Sequence, residues 1–314
     1  MVAATSEGLE RVSAERRARW LRQRRRRRVF WLVVAIAALA GIGTALWSPG
    51  GKPMAARLAA QSAAPTRRMP VRPLPAPPNL LLGLRAALPA SEGVTHGNPA
   101  KRMVALTFDD GPSGRTPAIL RVLANHHVHA TFFVVGRSTR GMEPVLRHTA
   151  ATGNELADHT YSHADLLALR EPARRRQLQW TRGLVARATG VQPRFFRPPY
   201  GATGPAVNRL GRSLGLIPVL WSVDSRDWQL PGTKAIVRRV LANVQPGSIV
   251  LMHDGGGDRQ ETLRALPAIL RALERRHLKV VTLSRLFASA PPASAFWSGS
   301  FAGGDARAQA AKKL

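Results

Sequence analysis

The sequence predicts an α/β domain built on a parallel sheet, and two observations carry that prediction. Short apolar runs alternate with amphipathic stretches over about 190 residues, enough to bury one full core. Five of the apolar runs end in a polar or ionisable group at a turn, which is where open α/β sheets and (β/α) barrels place active sites. No cysteine occurs in the 314 residues, so neither a disulfide framework nor a thiolate metal site is possible.

The elements follow in chain order. Met103–Phe108 is short, apolar and bounded by charge and glycine, and reads as a buried strand. It ends in Asp109-Asp110-Gly111-Pro112, where neighbouring side chains can splay toward one cleft. A helix over Thr116–Ala124 leads to the strand Ala130–Val135. His126, His127 and His129 read as the exposed link between them and not as a metal tract. The run Gly153–Asp158 delivers His159-Thr160-Tyr161-Ser162-His163, a spacing that puts two imidazoles on one helix face or across one tight turn. After a helix over Glu171–Thr189, Phe195-Phe196 runs into the stiff turn Arg197-Pro198-Pro199-Tyr200, whose guanidinium could pair bidentately with a carboxylate. A helix over Pro205–Leu214 precedes Leu220–Trp228, a strand end with two acids, Asp224 and Asp227, and two indoles. A helix over Thr233–Val244 precedes Ser248–Met252, which ends in His253 before a glycine-rich loop, and a helix over Gln260–Arg276 follows.

Taken singly these motifs are ordinary. An isolated Asp-Asp-Gly is more often a turn or helix cap, and two histidines four apart are as often surface or capping residues. Five such strand ends together are different. One carboxylate and two imidazoles can hold a divalent ion from three sides, and a second carboxylate is then free to act as a base, which points to hydrolysis assisted by a metal. Zn²⁺ is favoured by an Asp/His/His set, with Co²⁺ or Ni²⁺ as alternatives.

These segments resemble the five motifs of the polysaccharide deacetylase family (carbohydrate esterase family four, the NodB-homology domain), in that family's order and spacing over residues 101–288. The resemblance implies a distorted, incomplete (β/α) barrel. It also implies roles: Asp110, His159 and His163 as metal ligands, and Asp109 as general base held by Arg197. The Tyr200 backbone N–H would stabilise the oxyanion. His253 would be the general acid tuned by Asp227, with Trp228 and Leu251 shaping the pocket for the acetyl methyl. Each role suits its residue type, since a histidine beside a carboxylate can carry a proton at neutral pH.

The flanks are equally readable. Residues 1–28 carry ten Arg against three Glu and end in five consecutive Arg. Val29–Trp47 then runs nineteen residues without a charge, or about 28 Å as a helix. The expectation is a basic cytoplasmic segment (1–28), a single transmembrane signal-anchor (29–47) and an extracytoplasmic remainder, with secretion after signal cleavage as the alternative. Residues 48–100 form a Pro/Ala-rich linker, 101–288 the catalytic domain and 289–314 a disordered tail. The net charge of +29 includes +15 on residues 101–288, which favours polyanions. No base-reading motif accompanies it, so nucleic acid is not the expected partner. The expected protein is a membrane-anchored monomer acting on cell-wall polysaccharide, removing N-acetyl groups from an amino-sugar polymer such as peptidoglycan or chitin-like oligomers. The alternatives are an O-acetyl xylan esterase and a degenerate cell-wall binding module.

Overall fold

A computed structural model describes residues 93–288. The expected anchor, most of the linker and the tail lie outside the described residues. Among the described residues no helix is long and apolar enough to cross a membrane.

Eight parallel strands form one sheet: β1 (Met103–Asp109), β2 (Thr131–Val134), β3 (Glu155–Asp158), β4 (Phe195–Phe196), β5 (Ile217–Pro218), β6 (Val223–Asp224), β7 (Ile249–His253) and β8 (Lys279–Val280). The order is β5-β4-β3-β2-β1-β7-β6, with β8 added against the start of β1. β5 and β6 end the sheet without pairing to each other, so the barrel is incomplete. The segment at Val94–His96 bridges Val219, just after β5, and Ser248, just before β7. The fold therefore starts before Lys101, because Val94 is buried and its N–H donates to Pro218 O at 2.9 Å.

The crossovers are the helices α1 (Thr116–Asn125), α2 (Glu143–Ala151), α3 (Glu171–Thr189), α4 (Pro205–Ser213), α5 (Thr233–Asn243) and α6 (Gln260–Arg275), followed by α7 (Leu283–Ala288). Proline opens the first turn of α1 to α4, where a missing N–H costs nothing. α2 is a nine-residue helix that buries only Leu146 and Thr149, and no helix is expected there from the sequence.

Strand alternation decides what faces the site. On β1, Val104, Leu106 and Phe108 join the outer core under the helices. Ala105 joins an inner core with Phe133, Ala157, Phe195 and Ile249, capped by Leu283 and Leu286 of α7. With a side-chain period of two, Thr107 and Asp109 continue the Ala105 face, and Leu251 and His253 continue the Ile249 face. His159 likewise follows Ala157, and Arg197 follows Phe195. Sheet register sets Asp109 beside His253. The same period that fills the core with small and aromatic residues thus lines its open end with ionisable ones.

Candidate active site

Arg197 is the centre of the inner face and has no exposed surface. Its Nη1 donates to Asp109 Oδ1 at 2.7 Å and to Thr107 Oγ1 at 2.8 Å, Nη2 to Leu220 O at 2.8 Å, and Nε to Val219 O at 3.3 Å. The Phe133 ring lies 4.1 Å beneath the guanidinium. The pairing with Asp109 is through one nitrogen, not the bidentate fork the sequence allows, because Nη1 also serves the Thr107 hydroxyl while Nη2 and Nε serve backbone carbonyls of the β5–β6 segment.

The two histidines sit on a tight turn and not on a helix: both Thr160 (φ 66°) and His163 (φ 60°) are left-handed. Asp110 is also left-handed (φ 75°), which swings its carboxylate out of the strand toward that turn. His163 Nε2 lies 3.1 Å and His159 Nε2 3.6 Å from Asp110 Oδ1. His159 Nδ1 meets the carbonyl of Arg197 at 2.7 Å; a carbonyl only accepts, so Nδ1 carries the proton and Nε2 presents a lone pair. His163 Nδ1 meets the Tyr200 hydroxyl at 3.2 Å, which can accept its proton in the same way. Burial pushes His159 down to about 4, against the opposing pull of Asp109, so its imidazole is neutral at neutral pH. One ligand atom from each of Asp110, His159 and His163 lies within 4.8 Å of the others, and Asp110 Oδ1 is buried without a hydrogen-bond donor. Two lone pairs and an unsatisfied carboxylate oxygen facing one point fit a divalent cation.

At the end of β7, His253 Nδ1 lies 2.6 Å from Asp227 Oδ1, and its backbone N–H donates to Asp227 Oδ2 at 2.8 Å. Burial disfavours the imidazolium, but the Asp227 charge overrides it and raises His253 to about 9. Burial would likewise raise Asp227, yet His253 and the Thr262 hydroxyl, which donates to Oδ2 at 2.7 Å, hold its carboxyl below the usual range. Thr262 lies on α6, and nothing in its sequence setting distinguishes it from any helix threonine. Trp228 follows Asp227 in a short 3-10 turn and is half-buried, while Leu251 is buried next to Thr107 in the register. Tyr200 is held at φ 61°, a strained conformation that turns its backbone out of the preceding Pro-Pro segment. All ten residues singled out in the sequence therefore lie at the carboxyl ends of the strands or on the loops that leave them. His126, His127 and His129 lie between α1 and β2, and are not part of this cluster.

The sequence pattern of the polysaccharide deacetylase family matches residues 96–219. A chitooligosaccharide deacetylase of Sinorhizobium fredii is 42% identical over 185 residues, covering 55% of this chain and 86% of that protein. The chain belongs to the polysaccharide deacetylase family. A peptidoglycan-N-acetylglucosamine deacetylase of Bacillus cereus is 37% identical over 189 residues, covering 60% of this chain and 69% of the relative. A solved structure of a peptidoglycan N-acetylglucosamine deacetylase superposes with a TM-score of 0.62 at 35% identity, covering 64% of this chain and 94% of that one. The curled, open parallel sheet is the family's fold, and the protein is a polysaccharide N-deacetylase, a hydrolase of amide bonds.

Proposed function

We propose that this deacetylase is metal-dependent and removes acetyl groups from N-acetylglucosamine of wall peptidoglycan, with Asp109 as base and His253 as acid. The observation that carries the reading is that two differently supported groups, register partners on paired strands, stand beside one Asp/His/His cluster. Asp109 is tied to Arg197 at 2.7 Å and His253 to Asp227 at 2.6 Å.

An ion held by Asp110, His159 and His163, with Zn²⁺ the best match to the donors, would polarise the acetyl carbonyl and acidify a water. The chain's own residues do the rest. Asp109 takes a proton from the attacking water as the carbon–oxygen bond forms. The backbone N–H of Tyr200 faces the developing oxyanion. His253, protonated at neutral pH, gives its proton to the amine nitrogen as the carbon–nitrogen bond breaks, leaving acetate and a glucosamine unit. Trp228 and Leu251 bound the space for the methyl group.

The wall assignment is supported by Arg24–Arg28 followed by the uncharged Val29–Trp47, which would tether the enzyme outside the membrane, and by the +15 on residues 101–288 facing an anionic polymer. A second reading, action on free chito-oligomers, is favoured by the 42% identity to a chitooligosaccharide deacetylase. Mass spectrometry of purified wall glycan, N-acetylglucosamine oligomers and acetylated xylan after incubation with the enzyme separates the readings. Faster acetate release from wall glycan is expected. Release from free oligomers alone would favour the second reading, and a clear preference for acetylxylan would replace both with an esterase.

A further inference from the structure

Asp254 has no part in the chemistry above, yet it is 1% exposed and its carboxylate sits against Gly111, next to Asp110. It follows His253 directly, and burial pushes its carboxyl up to about 7. A buried acid with no cationic partner among the described residues is costly, so its surroundings warrant an account.

Its contacts all run to the turn between β1 and α1. The N–H groups of Asp254 and Gly255 donate to Asp109 O at 3.0 and 3.2 Å. The Ser113 hydroxyl donates to Asp254 O. The Ser113 N–H donates to Thr116 Oγ1 at 2.8 Å, and the Thr116 hydroxyl passes the chain on to Asp254 Oδ2. The carboxylate fills the space beside Gly111, where any Cβ would overlap it. From the other side Gly256 presses against the Asp110 carboxylate with no room for a Cβ. Arg259 fixes this segment in turn, donating to Gly255 O at 2.7 Å and Gly256 O at 3.1 Å.

Asp110 adopts the left-handed conformation at φ 75°, sparsely populated outside glycine, asparagine and aspartate. Such a conformation persists only where its neighbours over-determine it. We propose that Asp254 is a positioning residue, whose carboxylate, seated against Gly111 and bonded to Thr116, locks the turn that aims Asp109 and Asp110. It would also couple the strand bearing His253 to the turn bearing the metal ligand. The proposal rests on the metal site read above.

The test measures Zn²⁺ affinity by chelator competition, together with kcat and KM on N-acetylglucosamine oligomers, for the purified full chain. Thr116→Val removes the hydroxyl at constant shape, and Asp254→Ala removes the carboxylate. Both are expected to weaken Zn²⁺ binding by roughly 10–100-fold, the usual effect of losing support behind a ligand, and to lower kcat more than they raise KM. Thr116→Ser should restore both. Wild-type Zn²⁺ affinity and kcat in Thr116→Val, whatever its melting temperature, would overturn the proposal, and that variant decides should Asp254→Ala not fold. His163→Ala is the benchmark: if it too leaves Zn²⁺ affinity unchanged, the metal site itself is misassigned and the positioning role goes with it.

Discussion

Asp109 and Asp110 are adjacent and chemically alike, but the backbone gives them different partners. Asp109 is the last residue of β1, faces inward with Thr107, and meets Arg197 at 2.7 Å. Asp110 has left the strand and faces the two imidazoles. Asp109→Asn is therefore expected to retain metal while losing on the order of 10²–10⁴-fold in kcat; metal analysis beside kinetics checks this, and a variant with most of its rate would remove Asp109 from proton transfer. His253 makes a prediction in pH. Its raised value near 9 means that the acid form is present at neutral pH and is lost as pH rises through that value. The rate should fall on the alkaline side, and Asp227→Asn, which removes the raising charge, should move that descending limb toward neutrality. Profiles of kcat/KM for the two proteins decide it, and coincident alkaline limbs would argue against His253 as the acid.

β1 organises the site because it lies between β2 and β7 and brings its inward residues against both. β4 is only two residues long, yet it delivers Arg197 into the space under the sheet's open end. Arg197→Met would keep much of the volume while leaving Asp109 buried without its charge partner. A loss of about 3–5 kcal/mol in folding stability is expected from stranding one member of a buried pair, read from denaturant unfolding; a loss below 1 kcal/mol would show that water reaches Asp109 in its place. Lysine is no substitute here, since Arg197 uses three nitrogens in a planar array.

At the scale of the whole chain the dominant feature is charge, +29 in total with ten Arg in the first 28 residues. If Val29–Trp47 is an uncleaved anchor, protease added to intact spheroplasts should remove the part after Trp47 and spare the first 28 residues. Protection of the catalytic domain, or its appearance in the medium without protease, would reverse that orientation or favour cleavage. The basic domain also predicts that activity on anionic wall polymer declines with added salt more than activity on neutral oligomers, because screening acts only where the substrate is charged. Parallel salt titrations of the two substrates test it.

Much of this was legible in the residues. Alternation of apolar runs with helices specified the α/β class, and the polar groups that end five of those runs marked the site, because a parallel sheet collects its strand ends on one side. Local patterning also placed α1, α3, α4, α5 and α6 to within a residue or so at each end. It was silent on α2, a helix of only nine residues, and on Val94, whose partners lie more than a hundred residues away at Pro218 and Val219. The spacing of His159 and His163 allowed helix or turn, and only the left-handed conformations of Thr160 and His163 decided for the turn. Thr262 behind Asp227, the Tyr200 hydroxyl behind His163 and Asp254 against Gly111 were visible only in three dimensions. The physical reason is the same for all three. A residue that carries chemistry must be of a particular type at a strand end, and leaves a local trace in the sequence. A residue that supports it needs only to be close in space, and closeness between distant segments is settled by how the sheet curls and packs.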